Sequence, residues 1–451
     1  MSKVLMITYV FPPAAWVGAH RTLKYCKYLG RHGWSPVVLT AKPIGVTFQD
    51  DMLLRQIPTD VVVHRTFDVD PAKWEEKLAA RKLRSLREPD EAVAPADVPA
   101  SPARPSGLRR LKDFVKALLK DSPDSHVFWV PFAFFRGLWI LMRDRIDVIY
   151  CSTPPHSSHL IAYLLAACTR KPYVLDFRDP WYVEGSARKP EGKIPALLKL
   201  ETWAKRRIVV GATRIVCVSD GELAELRAEY PEMEAERFAC ITNGYDPSDL
   251  PPPPPQASKS AQLQLIHAGT IYGGVADELF EALRRMVRTN PGISRKLTVH
   301  LLGDIAHSYE SDVRELEDAG IVSRHGLLPH AKTLQMVHAS DVVVILMGGD
   351  RYLPSHLPSK AFEYLHAAKP ILAIAGEGEL AELVRKSGLG IVVAPHSVDG
   401  LVDALGKLVD DHAAGRVPRA PDQQFIRRFE RQALAARLAS VLTDAARAHA
   451  Q

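Results

Sequence analysis

The sequence predicts an α/β protein made of two doubly wound, parallel-sheet domains, and three observations predict it. Short apolar runs alternate with stretches of helical period from Lys3 to Ile241 and again from Gln262 to His412, which is the rhythm of strand, crossover helix and parallel strand. Asn243-Gly-Tyr-Asp246 and then Pro251 to Pro255 break that rhythm, as a stiff connector would. A chain of 451 residues, 47% hydrophobic and 24% charged, carries enough apolar material for two cores. The expected domains are 1–250 and 261–421, joined by 251–260, with 422–451 as a final helical segment.

Composition narrows the function classes. Cys26, Cys151, Cys168, Cys217 and Cys240 are widely spaced, with no C-x-x-C pair and no histidine cluster at zinc spacing, so they read as reduced thiols of a cytoplasmic protein. Val4 to Ile7 is too short for a signal peptide and reads as a first strand. No stretch reaches the roughly 18 to 20 apolar residues that a bilayer span requires; the nearest, Val127 to Met142, is interrupted by Pro131 and Arg136 and reads as a partly buried helix. A net charge of +6 is too dispersed for a nucleic-acid partner but suits an anionic substrate or membrane surface.

Lys3 to Tyr9 is the first strand, followed by the turn Phe11 to Gly18, a helix over Ala19 to Leu29 and a strand over Trp34 to Thr40. The turn holds one glycine where a dinucleotide fingerprint needs three, which argues against a nicotinamide or flavin cofactor. Gly18 at a helix start can approach an anion, although ordinary turn chemistry also accounts for it. Val61 to His64 is a third strand. An insert over 75–125 follows. Trp74 to Arg87 is charged and helical, Glu88 to Gly107 is a proline-rich linker, and Leu108 to Lys120 is a basic amphipathic helix. Its apolar stripe, flanked by Arg109, Arg110, Lys112, Lys116 and Lys120, suits either a membrane surface or its own domain.

The alternation then becomes regular, with strands at 146–151, 172–177, 213–218 and 238–241 and helices at 156–168, 195–209 and 221–229. Two stretches stand out. Cys151-Ser-Thr-Pro-Pro-His156-Ser-Ser-His159 brings hydroxyls and His156 to a helix start. Asp176-Phe-Arg178-Asp179-Pro-Trp181 sets three charges after an apolar strand, where an Arg178–aspartate ion pair is the structural alternative to a site.

In the second domain, strands at 262–268, 297–302, 321–325, 341–346, 371–375 and 390–393 alternate with helices at 275–289, 307–318, 331–339, 378–386 and 398–412. Between the strands at 341 and 371 lies Leu357-Pro-Ser359-Lys360-Ala-Phe-Glu363-Tyr-Leu-His-Ala-Ala-Lys-Pro370. Pro358 and Ser359 suit a helix start, which sets Lys360 and Glu363 on one face and Ala361, Leu365 and Ala368 on the buried one. A lysine beside free backbone N–H groups suits a phosphate, and a carboxylate three residues on can accept from a ribose hydroxyl.

This stretch resembles the donor-site helix of family-4 glycosyltransferases of the GT-B fold. The run Tyr9 to Tyr28 and the D-F-R-D-P-W pattern are similar to bacterial members of the same family. The resemblance implies two Rossmann-like domains facing across a cleft, a final helix crossing back to the first domain, and a nucleotide-sugar donor. By the same resemblance Glu363 holds the ribose, the diphosphate lies at Gly269-Thr270-Ile-Tyr272-Gly273-Gly274 and at Ser359 and Lys360, and the base lies near Gly326 to Pro329, including Leu327. Gly18 and Gly303 are further expected donor contacts; Asp176, Arg178, Asp179 and His156 are the expected catalytic group. Transfer with retention is implied, without a metal or other cofactor. The acceptor would be a glycan or lipid-linked precursor of a cell-surface polysaccharide, reached by a cytoplasmic enzyme at the inner face of the membrane. Asp68-Val-Asp70 has the spacing of the GT-A metal motif, but nothing else is GT-A-like, so a structural role is expected.

Two positions depart from the family pattern. Ser355 stands where a first glutamate is usual, and Ile271 to Ala276 offers no cation after the glycine loop, leaving Lys360, with Arg351 as a second choice. A nucleotide-sugar epimerase on the same fold and an inactive nucleotide-sugar binder are the rival readings.

Overall fold

The computed structural model describes residues 1–43, 49–69, 124–182, 194–249, 261–348, 352–416 and 421–450. The helices expected at Trp74 to Arg87 and at 108–120, the proline-rich 88–107, Asp70, the Pro251 to Pro255 connector and Arg351 lie outside the described residues. The chain falls into two compact units. One gathers Met1–Val216, Arg227–Ala239 and Ala439–Gln451, and the other Cys217–Leu226 and Cys240–Leu438.

In the first unit, β1 (Ser2–Thr8) leads through α1 (Val17–Tyr28) to β2 (Trp34–Ala41) and β3 (Val62–Thr66). Then come α2 (Trp129–Arg143), β4 (Val148–Thr153), α3 (Ser157–Thr169), β5 (Tyr173–Phe177), α4 (Pro195–Gly211), β6 (Arg214–Cys217), α5 (Asp220–Glu229) and β7 (Phe238–Cys240). The first turns of α5 cluster with the second unit. The seven strands lie in the order β3-β2-β1-β4-β5-β6-β7, and β1 pairs in parallel with both β2 and β4. Val4 to Ile7 of β1 are fully buried, because helices on both faces of a parallel sheet leave neither side of a central strand wet. Pro131 does not interrupt α2: it sits in the first turn, where its missing N–H would have had no helical partner anyway.

The second unit runs β8 (Leu263–Ala268), α6 (Asp277–Thr289), β9 (Leu297–Leu302), α7 (Glu310–Asp318), β10 (Val322–Gly326), α8 (His330–Ala339), β11 (Val342–Met347), α9 (Lys360–Ala367), β12 (Ile371–Ala375), α10 (Glu379–Lys386), β13 (Gly390–Val393) and α11 (Val398–Ala413). Its six strands are ordered β10-β9-β8-β11-β12-β13. Leu265, Val299, Leu301, Val344 and Leu346 fill one face of the sheet, and Ile266, Leu302, Val343 and Ile345 the other, following the two-residue alternation of a strand. In each sheet the order reverses at one place, between β1 and β4 and between β8 and β11. Ligands of open parallel sheets lie beyond the carboxyl ends of the strands at such points.

Three local readings change. The helical segment expected over Asp422 to Gln451 is two helices, α12 (Gln423–Arg427) and α13 (Arg431–Ala450). The break between them is a ladder to the connector: the Tyr245 N–H donates to the Phe429 carbonyl at 3.1 Å and the Arg431 N–H to the Tyr245 carbonyl at 2.8 Å. The segment 307–318 opens as a 3-10 turn, His307–Tyr309, before α7. Ala368 is exposed and left-handed at φ 52°, ending α9 one residue early, so it does not join Ala361 and Leu365 on the buried face. The cysteines are free; Cys26, Cys151 and Cys217 are buried and Cys168 is exposed. Among the described residues no helix is long and apolar enough to cross a membrane.

The connector ladder depends on Gly244, since a Cβ there would overlap the Phe429 carbonyl and crowd Leu434 Cδ1 at 2.6 Å. Gly244→Ala is expected to destabilise the protein by about 1–3 kcal/mol through overpacking. Gly376→Ala, which meets nothing within 4 Å, should leave the melting temperature unchanged in the same thermal denaturation series.

Candidate functional site

In the second unit the site is built around backbone rather than side chains. β8 ends at Ala268, and Gly269 follows with φ 143°, while Gly303, after β9, has φ 110°. These are values that L side chains rarely adopt. A Cβ on Gly303 would lie 2.7 Å from the Gly269 carbonyl oxygen, so the two loops touch main chain to main chain. The loop is clamped from below. Tyr309 Oη accepts from the Gly274 N–H at 2.8 Å and the Ala276 N–H at 3.2 Å and donates to Asp277. Tyr364 Oη accepts from the Ala268 N–H at 2.9 Å.

Lys360 closes this floor. It is the first residue of α9, and a Cβ on Gly269 would sit 2.7 Å from its Nζ. His267, fully buried on β8, donates from Nδ1 to the Val344 carbonyl at 3.0 Å. A carbonyl can only accept, which fixes the tautomer and leaves Nε2 to accept from Lys360 Nζ at 3.4 Å. Burial pushes His267 well below its ordinary value, with the Lys360 charge adding to it, so the imidazole is neutral. Burial likewise lowers Lys360 to about 8, opposed by the nearby Glu363 carboxylate. Ser359 occupies the N-cap position without capping the helix through its side chain, which leaves the amide end of α9 beside the lysine. Glu363 Oε1 lies 3.2 Å from His330 Nε2. Thr270, Tyr272, Gly273 and Leu327 stand exposed on the rim, Tyr272 at 44% and Leu327 at 59%. Ser355 donates to Glu225 Oε1 at 2.9 Å. A carboxylate therefore stands beside that position after all, brought by α5.

In the first unit Asp176 is enclosed by hydrogen-bond partners. It is fully buried, and its carboxylate takes paired hydrogen bonds from Arg21 Nε and Nη2, each 2.8 Å, another from Ser152 Oγ at 3.0 Å and a short one from Tyr150 Oη. This enclosure has a physical cause. An aspartate at the end of a central strand has no water, so the fold supplies partners from α1 and β4 instead. Burial alone would lower Arg21, but the Asp176 charge overrides it and holds the guanidinium well above its ordinary value. The buried ion pair of Asp176 is thus made with Arg21.

Arg178 instead lies against Gly18. A Cβ on Gly18 would fall 2.7 Å from Arg178 Nη2 and 2.8 Å from Cζ, so glycine is what lets the guanidinium reach the start of α1. Arg178 Nη2 donates to the Pro154 carbonyl at 3.1 Å, while its buried Nε has no hydrogen-bond partner, and burial lowers its affinity for the proton. A desolvated cation beside helix amides can receive an anion. Asp179 is exposed. His156 stacks on Trp181 with ring centres 4.9 Å apart and planes 5° from parallel; Trp181 donates to buried Glu201 at 2.8 Å. The structure so gathers Gly269, Gly303, Ser359, Lys360 and Glu363 in one unit and Gly18, Arg178 and His156 in the other. Among the described residues no group of three or more His, Cys, Asp or Glu could hold a metal ion.

The description "Glycosyl transferase 4-like domain" matches residues 18–244, half of the chain. The chain belongs to this family. Over 235 residues it is 28% identical to a glycogen synthase of Mycobacterium tuberculosis, covering 51% of this chain and 54% of the relative, so it spans about half the length of the curated relatives it matches. Solved structures show the GT-B fold over almost the whole length. Anabaena HepE, solved in complex with UDP and glucose, is 15% identical with a TM-score of 0.59, covering 98% of this chain and all of that one. A glycosyltransferase from Rickettsia africae is 12% identical with a TM-score of 0.62, covering 98% of each.

Sequence reading of this family-4-like chain missed His267, Tyr309, Tyr364 and Arg21. A histidine inside the apolar strand 262–268 was a usable signal for the first; the others act across the fold and leave no local pattern. Asp176→Ala leaves Arg21 buried and uncompensated, which is expected to destabilise the protein by about 3–5 kcal/mol. Denaturant titration should show that loss, and the Arg21→Met, Asp176→Leu double variant should recover part of it.

Proposed function

We propose that the chain is a glycosyltransferase that takes a sugar from a nucleotide-diphosphate donor and delivers it to a glycan or lipid-linked acceptor in cell-surface polysaccharide assembly. The observation that carries this reading is Lys360, an ammonium at the amino-terminal end of α9 lying directly over the Gly269 backbone. Growing charge on a leaving diphosphate is what such a group stabilises. Glu363, on the same face and held by His330, suits the ribose. The family and the UDP bound by the Anabaena protein support a nucleotide donor. Retention and independence of a metal belong to the proposal through the family resemblance. The epimerase alternative needs a buried carboxylate that exchanges a proton. The buried Asp176 is already taken up by Arg21, Tyr150 and Ser152 and is not free for that exchange.

A peripheral position at the inner face of the membrane is supported by α2. Phe132, Phe135, Trp139 and Met142, exposed by 43%, 69%, 37% and 75%, recur on one stripe of that helix. Arg136 and Arg143 stack on Trp139 at 4.3 and 4.9 Å, an arrangement suited to an anionic headgroup layer.

A thermal-shift screen against UDP, GDP, ADP and their sugars addresses the donor. A ligand at a hundred times its dissociation constant adds about 2.7 kcal/mol, and Lys360→Ala should abolish the response; silence from every nucleotide at millimolar concentration rejects the reading. Because the free lysine loses its proton above about pH 8, nucleotide affinity should fall from pH 8 to 10, by up to about tenfold per unit. Lys360→Arg, which stays charged, should flatten that decline. For the membrane, sedimentation with anionic vesicles should bring down the wild type, and Phe135→Glu combined with Met142→Glu should leave the protein in the supernatant; equal sedimentation of both removes α2 from the surface.

A further inference from the structure

The loop that delivers Lys360 follows β11 and includes Tyr352 to Ser359, and a residue of α10 fastens it. Glu379 is the first residue of α10, where a carboxylate ordinarily serves its own helix. Here the side chain reaches out to α5. Its Oε1 accepts a short hydrogen bond from the Gly221 N–H, and its Oε2 accepts from the Asp220 N–H at 3.2 Å. Its own N–H donates to the Pro354 carbonyl at 3.0 Å. A helix start leaves its first amides without helical acceptors. In α5 the Glu222 N–H finds Ser219 Oγ at 3.2 Å, and Glu379 takes the two amides before it. One residue therefore holds the first turn of α5 through its carboxylate and the Lys360 loop through its backbone. All of these residues cluster in the second unit.

The two held segments also touch. A Cβ on Gly221 would lie 2.6 Å from Ser355 Cβ and 2.9 Å from Glu379 Oε1, so glycine is what lets α5 close on the loop. Ser355 Oγ donates to Glu225 Oε1, further along α5, at 2.9 Å. On the far side Gly378 takes φ 155°, a value that L side chains rarely adopt, and a Cβ there would come within 2.8 Å of Pro354 Cα. Pro354 and Ser355 are thus gripped between α5 and the start of α10. The loop transmits what happens at this grip. Proline fixes φ at Pro354 and at Pro358. The His356 N–H donates to the Leu353 carbonyl at 2.9 Å and the Ala361 N–H to the Pro358 carbonyl at 3.1 Å. Few soft dihedrals remain between Ser355 and Lys360, so displacing the first displaces the second. Lys360 tolerates little displacement, because its desolvated ammonium has to keep His267 Nε2, at 3.4 Å, and its place over the Gly269 backbone.

We propose that Glu379 is a positioning residue: by holding Asp220 and Gly221 of α5 with its carboxylate and Pro354 with its backbone, it sets the loop that places Ser359 and Lys360 over Gly269. That Lys360 there meets a nucleotide diphosphate rests on the glycosyltransferase reading; the coupling of Glu379 to the loop does not. Charge matters to this role. A carboxylate between two amides makes charge-assisted bonds, about twice as strong as neutral ones, and it complements the amino-terminal end of α5. Loss of the side chain frees two amides of α5 and leaves Gly221 without the contact that holds it against Ser355.

Hydrogen exchange read by mass spectrometry on the full chain, with UDP, GDP and ADP titrated into the same samples, tests this coupling. In Glu379→Ala the amides of 352–359 and of the first turn of α5 should exchange at least about tenfold faster, and the nucleotide that stabilises the wild type should bind at least about fivefold more weakly. Glu379→Gln, whose amide oxygen still accepts from α5, should recover part of both losses. Gly221→Ala, which forces the loop from the α5 side, should weaken nucleotide binding with Glu379 in place. Glu377→Ala, close by in sequence but 78% exposed, should change neither quantity. Unchanged exchange at 352–359 in Glu379→Ala overturns the proposal. So does faster exchange with nucleotide affinity unaltered, since that reduces Glu379 to a cap on α5. Should Glu379→Ala fail to fold, nucleotide binding by Gly221→Ala equal to that of the wild type overturns it as well. Lys360→Ala separates the two readings, because it should abolish nucleotide binding and leave exchange in the first turn of α5 as it was. Silence from every nucleotide in the wild type removes the donor reading; faster exchange of 352–359 in Glu379→Ala then still assigns the loop to Glu379.

Discussion

The first unit depends on a single buried charge pair. Arg21 from α1 and Asp176 from β5 meet across β4, whose Tyr150 and Ser152 complete the carboxylate's shell. Ser152 lies beside Asp176 in strand register and beside Thr8 of β1 on its other side, so the network spans the place where the strand order reverses. A fully desolvated pair is tolerated only when nearly every lone pair is used, and this requirement fixes the angle at which α1 leaves the sheet. The position of Gly18 against Arg178 follows from it, because α1 cannot rotate without breaking the bidentate contact. A rigid charge pair below thus positions an incompletely satisfied arginine above.

The second unit solves the same topological problem with backbone and tyrosine hydroxyls. Its crevice is floored by two glycines in contact and braced by two tyrosine hydroxyls that take up loop amides. Lys360 brings a charge onto this floor, and His267 is kept neutral beneath it by burial. A neutral imidazole accepts from the ammonium without repelling it, which lets the cation stay close to the backbone. The desolvation that lowers Lys360 also strengthens its attraction for an anion that enters.

The fold was legible because hydrophobic alternation is local. The run of strands and helices from β1 to β13 follows the apolar pattern closely, and the two-sided burial of β1 and β11 appears in the sequence as unbroken Val, Leu, Ile and Met. Helix ends were less legible. Ala368 reads as another helical alanine, yet it takes a left-handed conformation where the chain turns toward β12. The site was legible where its chemistry lies in one short stretch, as with Lys360 and Glu363, or where an isolated glycine marks a close approach, as with Gly18 and Gly303. It was not legible where partners converge from distant segments. Nothing near Asp176 in sequence announces Arg21, and nothing near the glycine loop announces Tyr309. Asp68 was set aside for its spacing, which says nothing about Tyr9 and His126, whose side chains meet its carboxylate in the fold.

The contact between Gly269 and Gly303 bears on how such a protein can change. A side chain on Gly303 would displace the Gly269 main chain and one on Gly269 would displace the Lys360 ammonium, so this part of the floor has no chemical variability to offer. Discrimination between ligands therefore falls to residues whose substitution leaves the fold untouched, and Tyr272 and Leu327 stand exposed on the rim in that situation. The division confines evolutionary and engineered tuning to a few peripheral positions. A lineage can drift toward a new ligand by exchanging the rim while inheriting the floor unaltered.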